Sequence, residues 1–309
     1  MTVGRFVRTV LGDISSEDVK GRLLAHEHVN FDTSKIKHDS DACLIEPETI
    51  AQELKYFSEA GGEVVVDLST INTGRNPKTL EDIALKSGVR IVCPTGFYFG
   101  LYLPLRAISG SVISMAEEFV RDITEGIDGT DIKAGVIGEI GWGQQTLPAE
   151  RRVFESAVIA QETTGAAIIT HTYFGFNAIE ELDFLEKTGA NIEKVGIGHM
   201  DLYPDPEIHI EVAKRGAYVC IDNIGRIDYR PDSERVKMIR LLFENGLGDR
   251  VIISSDVSRK SHLHKYGGHG YDHVLKTFVS MLNEEGFSKY EVELLLHENP
   301  LRLISISGE

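Results

Sequence analysis

Eight short apolar runs, separated by longer stretches of helical period, constrain this chain more than any other feature. The runs are Leu23–Val29, Glu63–Ser69, Val89–Thr95, Ala134–Ile140, Ala167–Thr172, Val195–Met200, Ala217–Asp222 and Val251–Asp256. They are continuously apolar rather than alternating, as strands of a parallel sheet buried on both faces must be. The intervening segments carry apolar residues three or four apart and stop at glycine. Pro47–Ala60 ends at Gly61, Ala149–Thr164 at Gly165, Ile179–Thr188 at Gly189, Glu207–Arg215 at Gly216 and Ser233–Asn245 at Gly246. Eight such strand-helix units in 309 residues fit an α/β fold of the closed (β/α)8 barrel (TIM barrel) type better than an open sheet. No glycine-rich phosphate loop follows an early strand, which weighs against a dinucleotide-binding sheet. No linker-like stretch divides the chain, so residues 1–309 read as one barrel domain. Residues 1–21 form an N-terminal cap or hairpin in this reading, and 284–309 a terminal helical region.

Composition narrows the function classes. Thirty-two basic residues against 48 acidic ones give a formal charge of −16. A surface so acidic is unsuited to nucleic acid, whose binding needs clustered Lys and Arg. No run of eighteen apolar residues suggests a membrane span. The start of the chain lacks the apolar core and cleavage site of a signal peptide. Three cysteines, Cys43, Cys93 and Cys220, form no CxxC pair and read as reduced thiols of a cytoplasmic protein.

Catalytic groups of such barrels sit at the C-terminal ends of the strands, and there the chemistry concentrates. Strand one ends in Ala25-His26-Glu27-His28, strand four in Gly138-Glu139, strand five in Thr170-His171 and strand six in Gly198-His199. Strand eight ends in Ser255-Asp256. His26 and His28, two apart, face the same side of a strand. Each of these residues has a bland role open to it: a hydrogen-bonded core histidine or an aspartate capping a helix. Their occurrence together at one end of successive strands points instead to a metal site. Four imidazoles and two carboxylates exceed the needs of one ion and suit a pair, with Glu139 as the natural bridge.

These residues carry a resemblance. Gly21–His28, Lys133–Gly141, Ile168–Thr172, Ile197–Asp201 and Ile252–Asp256, with Asn299-Pro300 near the end, are similar in content and order to the motifs of the phosphotriesterase family of the amidohydrolase superfamily. The resemblance spans nearly the whole chain. It implies that His26, His28 and Asp256 hold the more buried ion, His171 and His199 the more exposed one, and that Glu139 bridges them. Family members that degrade organophosphates or acyl-homoserine lactones carry a carboxylated lysine at the bridge. Glutamate there resembles the branch that includes lactonases acting on sugar lactone phosphates. Zinc is the default ion, with manganese, cobalt and iron the alternatives.

Metals of this kind make water nucleophilic at neutral pH. Asp256 is the residue expected to take up its proton. For the substrate, Tyr98 resembles the tyrosine with which related lactonases face their metals, against the plainer role of an aromatic packing the barrel mouth. Arg226, Tyr229 and Arg230 after strand seven, and Arg259 and Lys260 after strand eight, occupy the usual phosphate site of this barrel. Asn223 stands where acyl-homoserine-lactone hydrolases have arginine, which counts against that pocket. His262, His264, His269 and His273 lie in a glycine-containing loop beyond strand eight, read as a flexible lid that contacts substrate or solvent rather than a third metal. His38 and His209 have no such context.

The leading expectation is a binuclear-metal lactonase for a small sugar lactone, in one version phosphorylated, acting on a small and anionic partner. Phosphoester or organophosphate hydrolysis and amide hydrolysis are the alternatives on the same metals. A binding protein merely stabilised by metal is the non-enzymatic one. A homodimer is expected because relatives often form one.

Overall fold

The alternation of buried runs and amphipathic helices closes into a barrel in the computed structural model, which describes residues 4–308. Residues 1–3 of the expected cap, and Glu309, lie outside the described residues. The barrel strands are β1 (Arg22–Glu27), β2 (Gly62–Asp67), β3 (Arg90–Val92, resumed at Pro94–Thr95), β4 (Val136–Trp142), β5 (Ala167–Thr172), β6 (Val195–Ile197), β7 (Tyr218–Ile221) and β8 (Val251–Ile253). All neighbouring pairs from β1 to β8 run parallel. The ring closes between β8 and β1, where Asp256 N–H donates to His26 O at 3.3 Å and His26 N–H to Ser254 Oγ at 3.1 Å.

Burial on both strand faces explains the unbroken apolar runs. One set of side chains, among them Leu23, Val64, Val136 and Ile169, fills the barrel interior. The alternate set, including Leu24, Val65, Ile137 and Ile168, packs outward against the helices. The main helices are Pro47–Glu59, Pro77–Ser87, Val112–Thr124, Pro148–Thr164, Ala178–Thr188, Pro206–Lys214 and Asp232–Glu244. None is long and apolar enough to cross a membrane among the described residues.

Three differences from the sequence reading have local causes. Strands six and eight stop earlier than expected, at Ile197 and Ile253. The reason is that His199 (φ 58°) and Asp256 (φ 47°) take left-handed conformations that leave the ladder. The third strand is interrupted at Cys93. The expected terminal helical region spans 289–304 but then adds a strand, Ile306–Ser307, which pairs antiparallel with the hairpin Arg5–Thr9/Gly12–Ser15. Val7 and Val19 of that hairpin region plug the barrel floor with Leu303 and Ile304. The opposite end is left open for chemistry.

Candidate metal centre

At the open end the strands deliver six side chains to one shared volume. His26, His28, Glu139, His199 and Asp256 are buried and His171 half-buried. Two glycines allow this convergence. A Cβ on Gly138 would lie 2.2 Å from Ile169 O, and one on Gly198 would lie 2.1 Å from Thr170 O. Only glycine lets neighbouring strands approach so closely before Glu139 and His199. The left-handed backbone at His199 and Asp256 costs about 1 kcal/mol or more at each. It is supported from nearby: His199 N–H donates to both Asp222 oxygens (3.1 and 3.0 Å).

The ligand atoms fall into two facing groups. His28 Nε2 lies 3.2 Å from Asp256 Oδ1, and His26 belongs to the same cluster. Opposite, Glu139 Oε1 lies 2.7 Å from His171 Nδ1 and 3.1 Å from His199 Nε2, and those two nitrogens are 2.7 Å apart. Glu139 reaches both groups, with Oε1 3.4 Å from His26 Nε2 and Oε2 3.9 Å from His28 Nε2.

The imidazoles are oriented from behind. Asp222 Oδ1 and Oδ2 lie 2.8 Å from His199 Nδ1 and His26 Nδ1 respectively. His28 Nδ1 contacts Ser69 Oγ at 3.0 Å, and Ser69 in turn donates to Asp67 at 2.8 Å. In His26, His28 and His199 Nδ1 thereby faces a partner behind the ring and Nε2 is turned inward, the arrangement by which proteins orient metal-binding histidines. His171 is reversed, with Nδ1 inward toward Glu139 and Nε2 3.2 Å from Tyr98 Oη. Both ring nitrogens of His26 are buried without a well-aligned hydrogen bond, although Asp222 stands 2.8 Å from Nδ1 and Glu139 3.4 Å from Nε2. A buried imidazole so placed among carboxylates is costly unless a proton or a metal cation completes it. The residues present therefore fit a pair of divalent ions.

Electrostatics say the same. Burial alone would lower the pKa of His26, yet the Asp222 and Glu139 carboxylates hold it well above the ordinary imidazole range. Against burial, Asp222 likewise lifts His199, to about 10. Burial opposes ionisation of Glu139 and Asp256, but His171 beside the first, and His28 and Arg226 beside the second, hold both below the usual carboxylate range. The carboxylates gathered on this rim thus favour positive charge beside them, carried either by protons on the imidazoles or by a metal cation.

Above the centre opens a cavity of about 350 Å³, a size suited to a small molecule. Tyr98, Arg226, Tyr229 and Arg259 line it, as do Phe99, Tyr102, Phe174 and Lys37. Tyr98 Oη stands 3.1 Å from His171 Nδ1. Arg226 is committed to the centre itself: Nη1 grips Asp256 Oδ2 at 2.5 Å and Asn223 Oδ1 at 3.0 Å, while its guanidinium lies 4.3 Å over the Tyr229 ring.

Other expectations need correction. Lys260 does not line the cavity; its Nζ lies 3.5 Å from Glu46 on the surface. Arg230, just before the helix Asp232–Glu244, turns to Glu234 (2.8 Å) in its first turn. Arg259 reaches the cavity wall, but its charge is taken by Asp39 (2.6 Å) and Asp41 (3.4 Å). The histidine-rich loop is exposed over His264–Gly267, while His269 and His273 turn to the protein. None of its four histidines lines the cavity. His264 pairs with Asp272, and His273 Nε2 lies 3.0 Å from Asp232. The His269 ring packs on Gly225, where a Cβ would come within 2.7 Å of it. Asp232 also accepts Gly225 N–H at 3.0 Å, so the loop braces the backbone that carries Arg226.

Sequence reasoning missed Asp222, although it ends a strand as visibly as Asp256. It also missed Glu27, whose carboxylate points away from the imidazoles and grips the end of β8. Glu27 accepts from Ser255 N–H (2.7 Å), Ser254 Oγ (3.0 Å) and Val257 N–H (2.9 Å), bracketing Asp256. Lys37 carried no signal at all.

A profile of the phosphotriesterase family matches residues 5–304 of the sequence. The chain belongs to the phosphotriesterase family. It is thus a hydrolase of a family whose members share this barrel. The phosphotriesterase homology protein of Escherichia coli is 38% identical over 286 residues, 92% of this chain and 98% of that one. The crystal structure of that protein, with phosphate in its active site, superposes with a TM-score of 0.90 at 37% identity, covering 93% of this chain and 99% of that one. The N-acetyltaurine hydrolase of Xenopus tropicalis is 32% identical over 337 residues, 95% of this chain and 96% of that one. A lactonase from Listeria monocytogenes matches with a TM-score of 0.90 at 28% identity, over 97% of this chain and 98% of that one. Within the phosphotriesterase family, then, this chain resembles proteins of different substrate preference.

Proposed function

We propose that this chain is a binuclear metal hydrolase that opens a small lactone bearing an anionic group. His26, His28 and Asp256 would hold one ion and His171 and His199 the other, with Glu139 between them. The observation that carries the reading is the inward-facing Nε2 of His26, His28 and His199 around a carboxylate that reaches both groups. Zinc is the expected metal, with manganese, cobalt or iron able to take the same donors. When bound, such a pair supplies a water activated at neutral pH and a Lewis acid for the scissile carbonyl.

The chain's own residues do the rest. Asp256 takes up a proton at Oδ1 and returns it to the leaving oxygen. Arg226 clamps Oδ2 and keeps the carboxylate ionised between turnovers. The Tyr98 hydroxyl, against His171, orients the carbonyl. Phe99, Tyr102 and Phe174 wall the cavity with apolar surface that limits bulk water. The likeness to the Listeria lactonase supports the ester preference, and phosphate in the active site of the Escherichia coli relative supports an anionic substrate.

Amide hydrolysis is the second reading, favoured by 32% identity to an N-acetyltaurine hydrolase over 95% of this chain. The same Asp256 would then protonate a leaving nitrogen. A panel of lactones, N-acyl amino acids and sulfonates, and phosphoesters, assayed on metal-replete protein, separates the two. Highest kcat/KM on a lactone supports the first reading, and highest kcat/KM on an N-acyl compound replaces it with the second. Turnover of neither class refutes both.

A further inference from the structure

Three cationic side chains line the cavity, and only one is free. Arg226 is bound to Asp256 and Asn223, and Arg259 to Asp39 and Asp41. Lys37 has no salt-bridge partner among the described residues. Burial lowers the pKa of its ammonium, which acts on the charges around it only through space, with Asp256 and Glu139 attracting it and Arg259 and Arg226 repelling it.

The loop that presents Lys37 is a built element. It follows β1 as a short antiparallel pair, Phe31–Asp32 with Cys43–Leu44. Asp32 Oδ1 accepts from Ser34 N–H (3.0 Å) and Ser34 Oγ (2.6 Å), starting the helical turn Ser34–Lys37. The far side is latched to the loop after β8. Asp41 accepts from Ser261 N–H (2.8 Å) and Ser261 Oγ (2.7 Å), and Lys260 N–H donates to Asp41 O (2.9 Å). The Arg259 pairs complete the latch. Arg259, one of the residues expected to bind an anion, thus spends its charge holding the loop that carries Lys37.

Divalent ions at Glu139 and Asp256 would cancel the negative charge that Lys37 now faces. Its ammonium would then be an uncompensated cation at the edge of an aromatic-walled cavity. A lysine so placed attracts a compact anion as a point charge.

We propose that Lys37 recognises an anionic group, a carboxylate, sulfonate or phosphate, at the end of the substrate remote from the scissile bond. This rests on reading the cavity as the substrate site, and it names the residue that selects the substrate's charge. It holds whether the scissile bond is ester or amide.

Two measurements on metal-replete protein test it. In the first, wild type, Lys37→Gln and Lys37→Arg are assayed on pairs of lactones, and of N-acyl compounds, that differ only in an anionic or neutral remote end. In Lys37→Gln the anionic-to-neutral ratio of kcat/KM falls by about tenfold or more, the size of one hydrogen bond to a charged group, and Lys37→Arg restores most of it. A ratio within twofold of wild type overturns the proposal. In the second, inorganic phosphate is titrated calorimetrically into wild type and Lys37→Gln. A Kd weakened by about tenfold supports the proposal, and an unchanged Kd overturns it. The titration needs no turnover, so a panel without any hydrolysis would refute the proposed function while leaving the role of Lys37 to be decided by phosphate alone.

Discussion

Replacing Glu181 with glutamine should make the protein more stable at neutral pH, by an amount that depends on pH in a defined way. Glu181 lies on the helix Ala178–Thr188 and is fully buried against the barrel, with no salt-bridge partner among the described residues. Burial pushes its pKa from 4.5 to about 8, and the Thr170 hydroxyl and the His199 charge offset only part of that cost. A carboxyl whose folded pKa is raised favours the folded state fully below the unfolded pKa. That contribution is lost as pH rises toward the folded value. Between pH 4.5 and pH 8 the unfolded chain has released the proton and the folded chain has not. Each pH unit in that window costs about 1.4 kcal/mol, or about 3 kcal/mol by pH 7. Glutamine has the same shape and no charge to lose, so any packing or hydrogen-bonding penalty it brings is the same at every pH. Urea denaturation of wild type and Glu181→Gln at pH 5, 6, 7 and 8 reads the difference, in which titrations common to both proteins cancel. The variant should gain about 2 to 3 kcal/mol over wild type between pH 5 and pH 7. A difference that does not change with pH would show that Glu181 is ionised in the folded protein and refute the reasoning.

Two further substitutions probe the supports of the metal centre. Asp222→Asn keeps the size of the residue that orients His26 and His199 but removes its charge; metal affinity should fall by about 10- to 100-fold with little change in fold, measured by competition with a chromophoric chelator. Glu27→Gln turns an amide N–H2 toward one of the donors that bracket Asp256, Val257 N–H or Ser255 N–H. At pH 5 it should destabilise the protein by about 1 to 3 kcal/mol in chemical denaturation, a loss that shrinks toward pH 7 because burial raises the Glu27 pKa to about 8 and glutamine escapes that cost. It should also weaken binding of one ion more than the other, whereas equal loss of both would place Glu27 outside the support of Asp256.

The barrel was legible because its strands are buried on both faces, which leaves an unbroken apolar signature at each of eight positions. The six inward side chains were legible because the fold places every strand end on one rim, so spacing along the chain translates directly into proximity. The roles of other charged residues were not. Whether Arg259 meets a substrate or Asp39 depends on how two loops some 220 residues apart pack together, and no local pattern encodes that. Lys37 stands out only once Arg226 and Arg259 are seen to be occupied. The histidines of the last loop, read as a lid over substrate or solvent, carry no local sign of their partners: His269 and His273 spend their surfaces on Gly225 and Asp232. The pairing of Arg5 with Ser307, which closes the barrel floor, is likewise a contact between chain ends that periodicity cannot show.

The central claim is that this rim holds two divalent ions shared through Glu139. Elemental analysis of protein reconstituted with excess zinc and then freed of unbound ion tests it most directly. Two ions per chain in the wild type, and a reduced content in both His28→Asn and His171→Asn, is the predicted result. A wild type that retains one ion or none, or a content that neither substitution lowers, would contradict it.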